Sequence, residues 1–158
     1  MLIMWNRKKS VILSIVVCAF VSAILLALLV LGPALFKGFM TTYRGVAADS
    51  EDLAYLLKVF CLTFYPCAIF AGLILYCLLR LLFNIKSGDA FVVVNVRILF
   101  TVSWCCFGIA IITLISGFFY MPFFFVAAAG GFTGMLLRVL KNVMENAVEL
   151  RAENDLTI

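Results

Sequence analysis

Charge along this chain comes in clusters, and between the clusters lie long stretches with none. No Asp, Glu, Lys or Arg occurs from Ser10 to Phe36, between Lys58 and Arg80, or across the 40 residues from Ile98 to Leu137. About 20 apolar residues carry a helix across a hydrocarbon core of ~30 Å. The first two stretches therefore predict one crossing each. The third would run about 60 Å as a single helix, which predicts two crossings folded at Gly117-Phe118-Phe119-Tyr120-Met121-Pro122. The expected spans are residues 11–31, 58–82, 98–117 and 122–140.

Turn chemistry sets the expected ends. The first helix should stop near Gly32-Pro33, because proline cannot continue the hydrogen-bond ladder. Residues 33–50 then form a loop lying partly in the membrane interface, with Leu35, Phe36, Phe39, Met40 and Tyr43 interleaved with Lys37 and Arg44. Asp49-Ser50-Glu51-Asp52 reads as a helix start, capped by Asp49 or Ser50 and favoured by two acids at the positive end of the helix dipole. This second helix runs from Glu51 to about Phe83, with a kink expected at Pro66. Asn84 to Phe91 is a turn-rich connector centred on Ser87-Gly88-Asp89. Pro122 suits the first turn of the fourth helix. Beyond Arg138, Val139, Leu140, Val143, Ala147 and Leu150 keep a single apolar stripe. Residues 141–158 are thus a helical tail, with Lys141, Glu145, Glu149 and Arg151 on its wetter sides.

Small residues recur at helical spacing on two spans. Ala19, Ala23 and Ala27 are four apart on the first, and Ala127, Gly130, Gly131 and Gly134 bare one side of the fourth. Such faces let helices approach closely in lipid, within one molecule or in a homodimer. The expected fold is all-α: one integral membrane four-helix bundle over residues 1–158, its fourth helix extending into the cytoplasm.

Composition agrees and narrows the chemistry. Hydrophobic residues make up 66% of the chain and charged residues 13%, with a mean hydropathy of +1.23. A soluble domain of this size cannot hide that much apolar surface. The net charge of +4 is carried at span edges, so it sets topology and predicts no direct nucleic-acid binding. Nine of the 12 basic residues fall on the side of the two termini (Arg7, Lys8, Lys9, Arg80, Lys86, Arg97, Arg138, Lys141 and Arg151) and three on the other (Lys37, Arg44 and Lys58). That bias places both termini in the cytoplasm. Arg7-Lys8-Lys9 before an apolar run resembles a secretory leader, but the run is too long and lacks a cleavage site, so an uncleaved first helix is expected. The six cysteines, Cys18, Cys61, Cys67, Cys77, Cys105 and Cys106, all lie within spans and read as small packing residues. With no histidine, no phosphate-cradling motif and no charge at a span midplane, an enzyme, a metal or cofactor site and a proton-coupled carrier are not expected.

The polar candidates that remain are Lys86, Asp89, Asn95 and Arg97 around the connector, and Glu153, Asn154 and Asp155 before the closing Leu156-Thr157-Ile158. The tail could fold back, with Glu153 or Asp155 near Lys86 or Arg97, or dock a partner. Gly88-Asp89-Ala90-Phe91 followed by Asn95 and Arg97, together with the ending Glu153-Asn154-Asp155-Leu156-Thr157-Ile158, resemble the domain-of-unknown-function 2975 family over essentially the whole chain. These are small bacterial membrane proteins with four predicted helices. Val92-Val93-Val94 departs from the more polar stretch usual there and predicts a more buried connector. The resemblance implies a multi-pass protein of the bacterial cytoplasmic membrane, often encoded beside a short helix-turn-helix regulator of the Cro/C1 type.

Two functional readings follow. In the first, the connector and tail (Lys86, Asp89, Phe91, Asn95, Arg97, Glu153, Asn154, Asp155, Leu156 and Ile158) bind such a regulator. In the second, a small transport, permeation or immunity protein acts on a hydrophobic peptide or lipid through the Pro66 kink and the Gly130–Gly134 face.

Overall fold

The computed structural model describes residues 7–47, 49–87 and 92–155, with side chains described for 11–47, 49–87 and 92–153. It contains four helices, α1 (Arg7–Tyr43), α2 (Glu51–Lys86), α3 (Val93–Gly117) and α4 (Phe123–Asp155), and no strand among the described residues. All four are long and apolar enough to cross a membrane. Their large apolar side chains face outward: Phe20 is 67% exposed, Leu62 78% and Phe125 76%. So extensive an apolar exterior suits lipid rather than water, as expected of a multi-pass membrane protein.

Most helix ends follow local chemistry. The Ser50 side chain accepts the Leu53 backbone N–H at 3.2 Å, and Glu51 and Asp52 occupy the first turn of α2. At the end of α3, the Ser116 carbonyl accepts the backbone N–H groups of Phe119 (3.1 Å) and Tyr120 (3.0 Å). The Phe124 ring closes over Gly117, where a Cβ would lie only 2.9 Å from it, so this turn requires glycine.

One expected end is wrong. α1 does not stop at Gly32-Pro33 but continues ten residues past the proline to Tyr43, seven residues before the N-cap Ser50 of α2. The reason is packing. Gly32, Phe36 and Met40 are four apart and face α2: the Phe64 ring sits 3.3 Å from where a Gly32 Cβ would be, Phe36 stacks on Phe60 at 4.3 Å, and Met40 is 1% exposed. This stripe continues across Pro33, and membrane helices tolerate the missing hydrogen bond. Gly45, at φ +66°, then turns the chain in a left-handed conformation that glycine adopts readily.

Among the described residues the helices touch in chain order: α1 meets α2, α2 meets α3, and α3 meets α4. Two side-chain pairs fix how α2 lies on α3. The buried hydroxyls of Thr63 and Ser116 meet at 2.5 Å, and Asn84 Nδ2 donates to Asn95 Oδ1 at 2.7 Å. Thr63 to Asn84 is 21 residues, and so is Asn95 to Ser116, so the two helices run antiparallel without slipping between the pairs. At 1.5 Å per residue the pairs stand roughly 30 Å apart, the thickness of a hydrocarbon core. On α4, Gly134 offers its carbonyl to the Ser103 hydroxyl at 2.9 Å. A Cβ on Gly134 would lie 3.2 Å from the Phe107 ring, and one on Gly130 3.4 Å from the Cys106 carbonyl. Ile98, Val102 and Cys106 form the small buried core between α2 and α4, with Ile74, Cys77, Leu81 and Leu137 packed around it.

Candidate functional site

The Asn84–Asn95 end of α2 and α3 sets an interhelical amide pair beside two arginines. Asn95 is fully buried, near the start of α3, and its backbone N–H returns to the Val92 carbonyl at 3.0 Å. A buried amide needs partners, and Asn84, two residues before the end of α2, supplies one. The exchange ties together the two helix ends that flank the connector.

Just inside that pair, Arg80 and Arg97 line one cavity of about 330 Å³. Tyr76, Cys77 and Arg80 contribute one turn of α2, and Val94, Arg97, Ile98 and Thr101 contribute a single stripe of α3. Neither guanidinium meets a carboxylate among the described residues; the ion pair found there joins Lys141 to Glu145 on α4. The Thr101 hydroxyl donates to the Arg97 carbonyl at 3.0 Å. A third arginine stands at nearly the same level on α4. Arg138 lies over Phe100 at 5.3 Å and Trp104 at 5.2 Å, measured to the ring centroids, so its charge rests on aromatic faces. Counting back from the Asn84–Asn95 and Ser103–Gly134 contacts, Arg80 and Arg138 are both level with Leu99, about 6 Å inside the asparagine pair. Arginine thus appears once on each of three successive helices, with Arg97 about 3 Å nearer the helix ends than the other two.

The same count locates the tail. Ser103 is level with Gly134, so Val93, the first residue of α3, is level with Met144. α4 then continues to Asp155, roughly 16 Å further. The residues expected to act together are consequently split. Asn95 and Arg97 join Asn84 and Arg80 at the helix ends, and Lys86 is the exposed last residue of α2. Glu153 is exposed in the last turn of α4, about 16 Å past the level of Asn95. Asp89, Phe91, Leu156 and Ile158, and the side chains of Asn154 and Asp155, lie outside the described residues.

Of the small-residue positions, Ala127, Gly130 and Gly134 face α3, and Gly131 only grazes it, since a Cβ there would lie 4.0 Å from Ala110. Pro66 is half-buried within a continuous α2, whereas Ala19, Ala23 and Ala27 are exposed on α1. Sequence reasoning assigned Arg80 and Arg138 to topology alone and passed over Asn84, Tyr76 and the Thr63–Ser116 pair. The available signal was Asn84 and Asn95 themselves, two amides flanking a turn between apolar helices.

A family model described as "Protein of unknown function (DUF2975)" matches residues 41–158, so the match begins near the end of α1 and takes in α2, α3 and α4. No curated protein matches the chain. No solved structure matches it either.

Proposed function

Because the chain belongs to the DUF2975 family, whose members have no assigned activity, we propose from its own geometry that it is a non-enzymatic interaction module of the bacterial cytoplasmic membrane. Residues 1–158 act as one four-helix membrane unit with both termini in the cytoplasm, as the nine-to-three distribution of basic residues favours. The connector end and the tail dock a soluble partner there. A small helix-turn-helix regulator is the partner class named by the genomic company that the family resemblance implies.

The observation that carries this reading is the projection of α4. Roughly 16 Å of helix extends beyond the level of Val93, bearing Glu145, Glu149, Arg151 and Glu153 around a stripe of Ala147 and Leu150. A charged helix with one apolar edge suits helix-to-helix docking. The test compares the full-length protein with a chain ending at Leu150, each isolated from its host in mild detergent. Recovery of a helix-turn-helix protein with the full-length bait alone supports the reading. Equal recovery with both baits, while both insert normally, removes the tail from it.

A further inference from the structure

We propose that the Arg80–Arg97 cavity is a binding site for the phosphodiester headgroup of an anionic phospholipid from the surrounding leaflet. The first ground is charge that no carboxylate among the described residues offsets. Arg97 is the fifth residue of α3 and Arg80 stands six residues before the end of α2, both inside the level of the helix ends. A guanidinium at that depth calls for a counter-charge or a route to water, and no described carboxylate provides the former.

The second ground is the mixed lining. Two guanidiniums and the Tyr76 phenol supply donors, while Val94 and Ile98 give apolar wall and the Thr101 hydroxyl is committed to the Arg97 carbonyl. Planar guanidinium forks bind phosphate oxygens in pairs, in a geometry that lysine cannot reproduce. The third ground is where the cavity opens. Tyr76 is 63% exposed and Val94 46%, so the mouth is on the outer, lipid-facing side of the α2–α3 pair. A headgroup entering there leaves its acyl chains along exposed apolar side chains such as Leu73 and Tyr76. At about 330 Å³ the cavity takes a headgroup but not a whole lipid. The proposal stands independently of any docking by the tail.

Simple snorkelling of two cations towards the interface makes a different prediction, because lysine does that equally well. The experiment therefore uses the full chain in detergent, titrated with phosphatidylglycerol and read by native mass spectrometry. The comparison variant is Arg80→Lys/Arg97→Lys, which keeps the charges that set topology and so inserts as the parent does. A single retained phosphatidylglycerol is expected. Its occupancy should fall about tenfold in the lysine variant and stay unchanged in Lys37→Gln/Arg44→Gln at the opposite end. Phosphatidylcholine should not be retained, and neither inorganic phosphate nor soluble glycerophosphoglycerol should displace the lipid at matched concentration. Equal retention by the lysine variant, equal retention of phosphatidylcholine, or displacement by inorganic phosphate would each overturn the proposal, the last assigning the cavity to a soluble anion.

Discussion

α1 carries the most apolar 18-residue stretch of the four helices, yet none of that stretch is buried, whereas 39% of the corresponding window of α3 is. α3 is held on both sides by specific devices. Thr63–Ser116 and Asn84–Asn95 join it to α2, and the close approach of Gly130 and Gly134, with the Ser103 hydroxyl on a bare backbone carbonyl, joins it to α4. α1 meets α2 through one stripe near its end, where Phe36 stacks on Phe60 and the Phe64 ring closes over Gly32. In water so apolar a stretch would be driven to the centre. In lipid, the tails are as apolar as the side chains, so packing fit and hydrogen bonds decide which helices associate. The family match follows the same division, covering α2 to α4 and leaving out all of α1 before Thr41.

The sharpest way to break this contrast is Gly134→Leu. It drives a side chain into the Phe107 ring and moves the carbonyl that Ser103 reaches, so about 3 kcal/mol of destabilisation is expected from overpacking. Denaturant titration in detergent measures it, and a loss under ~1 kcal/mol would show that α3 and α4 are not held by this contact. A double-mutant cycle on Asn84→Leu and Asn95→Leu gives the next effect. Its coupling energy should be about 1 kcal/mol, since interhelical hydrogen bonds in membranes are modest. The smallest change is expected from Ala23→Leu on the exposed side of α1, within about ±0.5 kcal/mol in the isolated protein. A large loss there would mean that the alanine stripe has a partner and that α1 is no looser than α3.

Much of this arrangement was legible in the sequence, for identifiable reasons. The uncharged stretches gave four membrane-length helices, because a charge within a span is costly and its absence therefore carries information. Ser50 as the cap of α2 and the fold at Gly117 were legible because they depend on a few neighbouring residues. The end of α1 was not, since what carries the helix through Pro33 is a set of rings on α2. Nor was the Thr63–Ser116 pair, whose partners are 53 residues apart and look like ordinary small polar residues within spans. The cavity arginines could be counted but not grouped, because charge counting gives a side of the membrane and says nothing of which helix faces meet.

The equal spacing of the two polar pairs on α2 and α3 has a mechanical consequence. Two helices joined at one point can slide or pivot to suit bilayers of different thickness. Joined at both ends of a ~30 Å interval, they form a strut of fixed length, since a shift of one turn would separate both pairs at once. A thicker or thinner bilayer must then be met by tilting the strut as a unit or by deforming the lipid around it. α1 lies outside that strut and packs on α2 through Gly32, Phe36 and Met40. The protein thus carries, in α2 and α3, a rigid gauge of membrane thickness.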